Sequence, residues 1–190
     1  AAKGIAPNLD ELKRYAQRLG VDYSSIRFNK VTHLQDSGYM RLTSNDAVIL
    51  LDVALIGPDY LPAHAHADTL SFEFSLFKQR LLVNGGTSEY KISPIRNYER
   101  STKAHNTVVV NNKNSSEVWS QFRVARRAYP FDLKIEELEN LVNISCAHDG
   151  YKRLTGKPIH RRNWQFFETE TTSLFDLLQS QTRRNRKEGY

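Results

Sequence analysis

The densest chemistry in this 190-residue chain lies in Leu61-Pro-Ala-His64-Ala-His66-Ala-Asp68-Thr-Leu-Ser-Phe72. On a strand, residues two apart share a face, so His64, His66 and Asp68 are expected to project together, with small alanines between them leaving room for a ligand. A His-x-His pair gives a metal two imidazoles, or gives it one and leaves the other for substrate. A third ligand must then come from elsewhere in the chain. His105, in Arg100-Ser-Thr-Lys-Ala-His105-Asn-Thr-Val, precedes a strand-like run, and Asn84, in Leu81-Leu-Val-Asn84-Gly-Gly-Thr, offers an oxygen. Plainer readings compete on spacing alone: two surface histidines on an edge strand, and Asn84-Gly85 as a hairpin turn requiring positive φ.

The elements that must position these residues are mostly strands. Residues 8–19 put Leu9, Leu12, Ala16 and Leu19 at helical spacing, with Asn8 as N-cap and Gly20 past the end. After it the period changes to 2. Strand-like segments follow at 39–43, 47–55, 69–77, 80–83, 107–110, 131–135, 141–147 and 163–169, separated by Ser-Asn-Asp, Gly-Pro-Asp, Asn-Gly-Gly and Asn-Asn-Lys-Asn turns. Many short strands without intervening helices predict a mainly β chain, an antiparallel β-sandwich with a short N-terminal helix. The expected domains are a helical segment at 1–30, the sandwich at 31–170 and a polar basic tail at 171–190 that includes a short helical turn at 173–178, disordered or foreign to the domain. The missing initiator Met suggests a fragment whose native start lies upstream.

Composition narrows the partner. The longest apolar run, Ala47 to Leu51, is far below the ~18 residues of a membrane span, so no membrane segment is expected. Lys+Arg 27 against Asp+Glu 21 leaves a net charge of +6, which suits a polyanion. The single cysteine, Cys146, falls in the apolar alternation Leu141-Val-Asn-Ile-Ser-Cys146 and reads as a core residue, with no disulfide framework or zinc ribbon open to the chain. Nucleic-acid binding through Arg123, Arg126, Arg127 and the tail lacks any recognised motif.

The order of motifs resembles the heparinase II/III-like polysaccharide lyases, including related alginate lyases. The matching pieces are Gly57-Pro-Asp, His64-Ala-His66-Ala-Asp68-Thr-Leu-Ser-Phe-Glu73, Leu81-Leu-Val-Asn84-Gly-Gly86-Thr, Tyr98-Glu-Arg100-Ser-Thr-Lys-Ala-His105-Asn106, His148-Asp-Gly-Tyr151-Lys-Arg153 and His160-Arg-Arg162. The resemblance implies the C-terminal, supersandwich-like β domain of an enzyme whose N-terminal helical toroid is missing here. It implies β-elimination on a uronic-acid polysaccharide of heparin, heparan or alginate type, in a bacterial protein that is secreted or periplasmic. By position, His64 matches the histidine that reaches the active cleft, while His66, Asn84 and His105 match the ligands of a structural Zn2+.

One position departs from the pattern, since Asn84-Gly85 replaces the usual Asp-Pro and removes a carboxylate from the dication site. Asp68 is the alternative ligand, or orients a histidine from behind. Tyr98 is read as a catalytic phenol, and Tyr90, Arg96 and Arg100 as substrate-binding residues, the arginines suiting carboxylate or sulfate bidentately. The turn at Asp149-Gly150 and the His160-Arg161-Arg162 run are read as structural. Without the toroid the fragment is expected to be inactive. The competing function is a non-catalytic module that binds an anionic glycan.

Overall fold

A capping box opens the first helix, α1 (Leu9–Arg18). The Asn8 side chain accepts the Glu11 N–H at 2.9 Å and the Glu11 carboxylate accepts the Asn8 N–H at 2.7 Å. Gly20, at φ +68°, follows its end. The computed structural model describes residues 7–24, 29–44 and 46–167, and the backbone of 178–183. No residue of α1 is buried, and Leu9, Leu12, Tyr15 and Leu19 face outward.

Two antiparallel sheets make the sandwich. The first has five strands in chain order, β1 (Val31–Leu34), β2 (Tyr39–Thr43), β3 (Ala47–Asp52), β4 (Phe72–Leu76) and β5 (Gln79–Leu82). The second has four, β8 (Pro130–Glu137), β9 (Leu141–His148), β10 (Ile159–Phe167) and β11 (Leu178–Arg183), in the order β11-β10-β9-β8. Between them come the short helix α2 (Pro94–Glu99), a 3₁₀ turn at Thr102–Ala104, and a small hairpin of β6 (Val118–Trp119) and β7 (Arg123–Val124).

Period-2 alternation builds the core. Met40, Leu42, Ile49, Leu51, Phe72, Phe74 and Leu76 of the first sheet face Val142, Ile144, Cys146, Trp164 and Phe166 of the second. Each such side chain contributes about 1.5–3 kcal/mol by leaving water. Cys146 is buried there, and burial pushes its thiol pKa up to about 11, so it packs rather than reacts. Arg162 ties the layers together, donating to the carbonyls of Leu70 at 2.7 Å and Asn106 at 2.6 Å while its guanidinium lies over the Phe72 and Trp164 rings.

Three expectations need correction. Residues 107–110 are not a strand and retain only an isolated bridge, Val110 to Lys113, because their polar bonds go elsewhere, Thr107 to the Thr69 carbonyl among them. The segment 178–183 is a strand rather than part of an unstructured tail: it pairs with Ile159–Trp164 and covers what would be an open edge of β10. Asn84-Gly85 is not a hairpin turn, since no strand follows; the positive φ sits at Gly86 (+66°), whose N–H bonds the Asn84 Oδ1 at 2.9 Å. The tail's proposed helical turn falls on residues 173–177, outside the described residues, and on Leu178, which opens β11.

Candidate functional site

The segment 61–70 is loop, not strand, and it turns at both ends: the Ala65 N–H bonds the Pro62 carbonyl at 3.2 Å, the Ser71 N–H bonds the Asp68 carbonyl at 2.8 Å, and Leu70 sits at φ +62°. Groups from far along the sequence hold its backbone between those turns. The Ala67 N–H donates to the Arg100 carbonyl at 2.9 Å, and the Ala67 carbonyl accepts from Thr102 Oγ1 at 2.7 Å and Ser115 Oγ at 3.1 Å. The Ala65 carbonyl accepts from Arg100 Nε at 3.0 Å. His66 therefore sits between two fixed peptides, and the small residues on either side allow this close approach.

His64 reaches the surface. Its ring meets Tyr90 edge-on, with centroids 5.4 Å apart, and Phe122 at 5.7 Å, while Tyr90 and Phe122 stack at 6.0 Å and 20°. Arg96 lies against the Tyr90 ring at 5.3 Å. Beside His64 opens a cleft of about 430 Å³ whose walls include Asp52, His66, Asp68, Glu73 and Asn84. Its acidic side is costly to ionise: burial and the Asp68 charge push the Asp52 carboxyl well up, and burial raises Asp68 to about 6.

Behind His64, ligand atoms of His66, Asp68 and His105 lie within 4.8 Å of one another. The His66 and His105 rings are 5.2 Å apart. Burial, then the nearby charges of His105, Arg96, Arg100 and His64, lowers His66 to about 3, so it is neutral. His66 Nε2 accepts from Arg96 Nη1 at 3.1 Å and lies 3.1 Å from Thr87 Oγ1. His105 is 8% exposed, and neither ring nitrogen has a hydrogen-bond partner. Burial lowers its pKa, opposed by the Glu99 backbone. Two neutral imidazoles, one with orphaned nitrogens, and a carboxylate fit a zinc-type dication. Asn84 Oδ1 accepts the Gly86 N–H at 2.9 Å, and the residue lines the same cleft as His66 and Asp68.

Two residues read as substrate-binding are buried beneath the site. Arg96 and Arg100 are 0% and 1% exposed, and their guanidinium groups are taken up by protein atoms: Arg96 by His66, Thr87 and the Gln121 carbonyl, Arg100 by the carbonyls of Ala65, Trp119, Ser120 and Arg123. A substrate carboxylate does not reach them in this conformation. Tyr90 is half-exposed beside His64, whereas Tyr98, on α2, is exposed and makes no contact with the aromatic cluster. Phe122 is the neighbour of His64 that sequence reasoning missed. Its only local signal was the pair of β-favouring dipeptides, Val118-Trp119 and Arg123-Val124, that bracket its turn.

The antiparallel sandwich thus presents one histidine between aromatic rings and stations two more with a carboxylate behind it. The chain belongs to the heparinase II/III-like family: residues 28–187 match the model of its C-terminal region, "Heparinase II/III-like, C-terminal". Solved structures agree on the fold. The mutant heparan sulfate lyase HepC from Pedobacter heparinus aligns at TM-score 0.63 and 17% identity, over 84% of this chain and 25% of that one. A structure described as heparinase III gives 0.61 and 17%, over 82% and 25%. The heparinase III-BT4657 gene product gives 0.58 and 18%, over 80% and 22%. The chain thus spans about a quarter of the length of these structures. No curated protein matches it.

Proposed function

We propose that the chain is the β-sandwich portion of a polysaccharide lyase that cleaves a uronic-acid polymer, heparan- or alginate-like, by β-elimination. The observation that carries this reading is the placement of His64, exposed at the mouth of a cleft and flanked by Tyr90 and Phe122, on a segment anchored at its other end by buried bonds. β-Elimination needs the C6 carboxylate neutralised, the C5 proton removed and the O4 leaving group protonated. His64 is the group of this chain that moves a proton at the sugar, its imidazole aimed by the two rings. Tyr90 and Phe122 offer an apolar surface to a pyranose face, and Tyr98 remains a proposed phenol for the site that the helical partner domain completes.

His66, His105 and Asp68 would hold a structural Zn2+, whose role is to fix the His-x-His segment from behind. Asp68 then stands in for the carboxylate that Asn84 lacks. Secretion or a periplasmic location in a bacterium fits the family. Among the described residues no helix is long and apolar enough to cross a membrane.

The test is absorbance of the new C4=C5 double bond when the full-length protein meets heparan-type and alginate polymers. It is expected to appear, to vanish in His64→Ala, and to be absent for these 190 residues alone. No absorbance on any uronate polymer would reject the lyase and favour a glycan-binding module.

A further inference from the structure

The hairpin that brings Phe122 to His64 is too small to hold itself. β6 and β7 have two residues each, paired Val118 to Val124 and Trp119 to Arg123, and Ser120 sits at φ +51°. Such a ladder is marginal in water. Its carbonyls turn inward. Trp119 and Ser120 accept from Arg100 Nη1 at 3.2 and 2.7 Å, Arg123 from Arg100 Nη2 at 3.1 Å, and Gln121 from Arg96 Nη2 at 3.3 Å. The two guanidinium groups are buried, and among the described residues neither has a carboxylate in an ion pair. A buried, unpaired cation is costly unless its donors are met, and here the turn's backbone meets both Nη groups of Arg100 and Nη2 of Arg96.

The same arginines grip the histidine segment. Arg100 Nε donates to the Ala65 carbonyl while the Arg100 carbonyl accepts the Ala67 N–H, and Arg96 Nη1 donates to His66 Nε2. Four residues apart on α2 and its C-cap, they reach the same side. We propose that Arg96 and Arg100 are positioning residues that mould the 119–123 turn around their guanidinium groups and so hold Phe122 against His64, setting the direction of that imidazole. The assignment deepens the lyase reading and rests on it for the part His64 plays. Arg100 serves four carbonyls from three separated nitrogens, whereas a lysine ammonium has three donors on a single atom, so lysine is a poor substitute despite its charge.

The test reads His64 directly. In the intact protein, the ring C–H resonances of His64, assigned by their loss in His64→Gln, are displaced by the ring currents of Tyr90 and Phe122. Phe122→Ala is expected to remove part of that displacement. Arg100→Lys should remove about half or more of the same part, and Arg96→Lys, which releases one turn carbonyl, a smaller share. Val142→Ala, a core change in the other sheet, should leave the resonances in place at a comparable loss of thermal stability. In an active enzyme, Arg100→Lys should lower kcat about tenfold with KM within about twofold, as expected when orientation is lost and binding is not.

Resonances unmoved in both folded lysine variants, while Phe122→Ala moves them, would overturn the proposal. If Arg100→Lys does not fold, Arg96→Lys against Phe122→Ala decides by the same criterion. The outcome is separable from the lyase reading. A wild-type protein without C4=C5 product removes the lyase and leaves the resonance result standing, and an active wild type with unmoved resonances removes only the positioning role.

Discussion

Two histidine pairs occur at nearly equal spacing, the partly buried His66 with buried His105 at 5.2 Å and the buried His148 with His160 at 4.9 Å between ring centroids, and they are built for opposite purposes. The second pair is bonded ring to ring. Directly opposed across β9 and β10, it forms a chain in which the Gly150 N–H donates to His148 Nδ1 and the rings share a 3.0 Å bond from His148 Nε2 to His160 Nδ1. That pattern assigns the protons to Nε2 of both rings and leaves one orphan, His160 Nε2. Gly150 is required there, because a Cβ would stand 2.4 Å from the Ser115 carbonyl and 2.7 Å from the Ala128 Cβ. Among the described residues no carboxylate is bonded to either ring. The first pair leaves both nitrogens of His105 open and adds Asp68. The difference between a structural pair and a metal-ready one thus lies in the open nitrogens of His105 and a nearby carboxylate, not in ring spacing.

The largest expected contrast is in metal binding. Titrated with zinc, the protein is expected to take up one equivalent, and at a thousandfold excess over Kd to gain about 4 kcal/mol of stability. His105→Ala should weaken uptake about a thousandfold, whereas His160→Ala should leave it unchanged. Metal analysis and melting curves read both. Uptake that survives His105→Ala, or that falls in His160→Ala, would reverse the roles assigned to the pairs.

Stability gives the next contrast. His148→Ala deletes a fully buried ring and strands His160 Nδ1, at an expected cost of about 3 kcal/mol in denaturant unfolding. His66→Ala, in a partly buried loop, should cost about half of that in the metal-free protein. Equal losses would mean the first pair is as structural as the second.

Acid sharpens the same distinction. Burial, followed by the charges of His160, Arg162 and Arg153, lowers His148 to about 3, and burial with Arg162 lowers His160 to about 4. The nearby Tyr151 phenol is pushed up to about 12 by burial and stays neutral throughout. The unfolded chain, with histidines near 6.5, binds more protons than the native state, so the pair's contribution is complete above that value and is lost as pH falls toward 4 and 3. Urea midpoints should drop between pH 7 and 4.5, and His148→Leu with His160→Leu should flatten part of that drop. A double variant with the wild-type pH slope would show that the pair is not the acid-labile element.

Much of this was legible in sequence. The sheets were readable wherever one face is buried and the other wet, as in Tyr39–Thr43, because alternation is forced there. The His64–Asp68 face was found for a wrong reason. Alternating small and polar residues do not distinguish a strand from a loop held in place by Arg100, Thr102 and Ser115, whose hydroxyls and guanidinium come from 35 and 48 positions away. Arg96 and Arg100 were misassigned for a related reason: arginine is seldom fully buried, so sequence reasoning sends it to the surface and to substrate. The turn bearing Phe122 left no periodic trace, its strands being two residues long. Hydrogen bonds between distant side chains and backbone carry no sequence period, and the site depends on them.

The smallest expected effect separates two carboxylate positions at the metal-ready pair. Asn84 Oδ1 is held by the Gly86 N–H, an acceptor role that aspartate fills equally well. Asn84→Asp therefore keeps the turn and adds a charge to a cleft already holding Asp52, Asp68 and Glu73. Its repulsion with these groups offsets much of its attraction for a dication, so zinc affinity should rise less than tenfold. Asp68→Asn removes the carboxylate that lies within 4.8 Å of both imidazoles and should weaken zinc about a hundredfold. Calorimetric titration of both variants ranks the positions. If Asn84→Asp gains more than Asp68→Asn loses, the metal's oxygen ligand belongs at residue 84, and Asp68 is demoted to orienting a histidine.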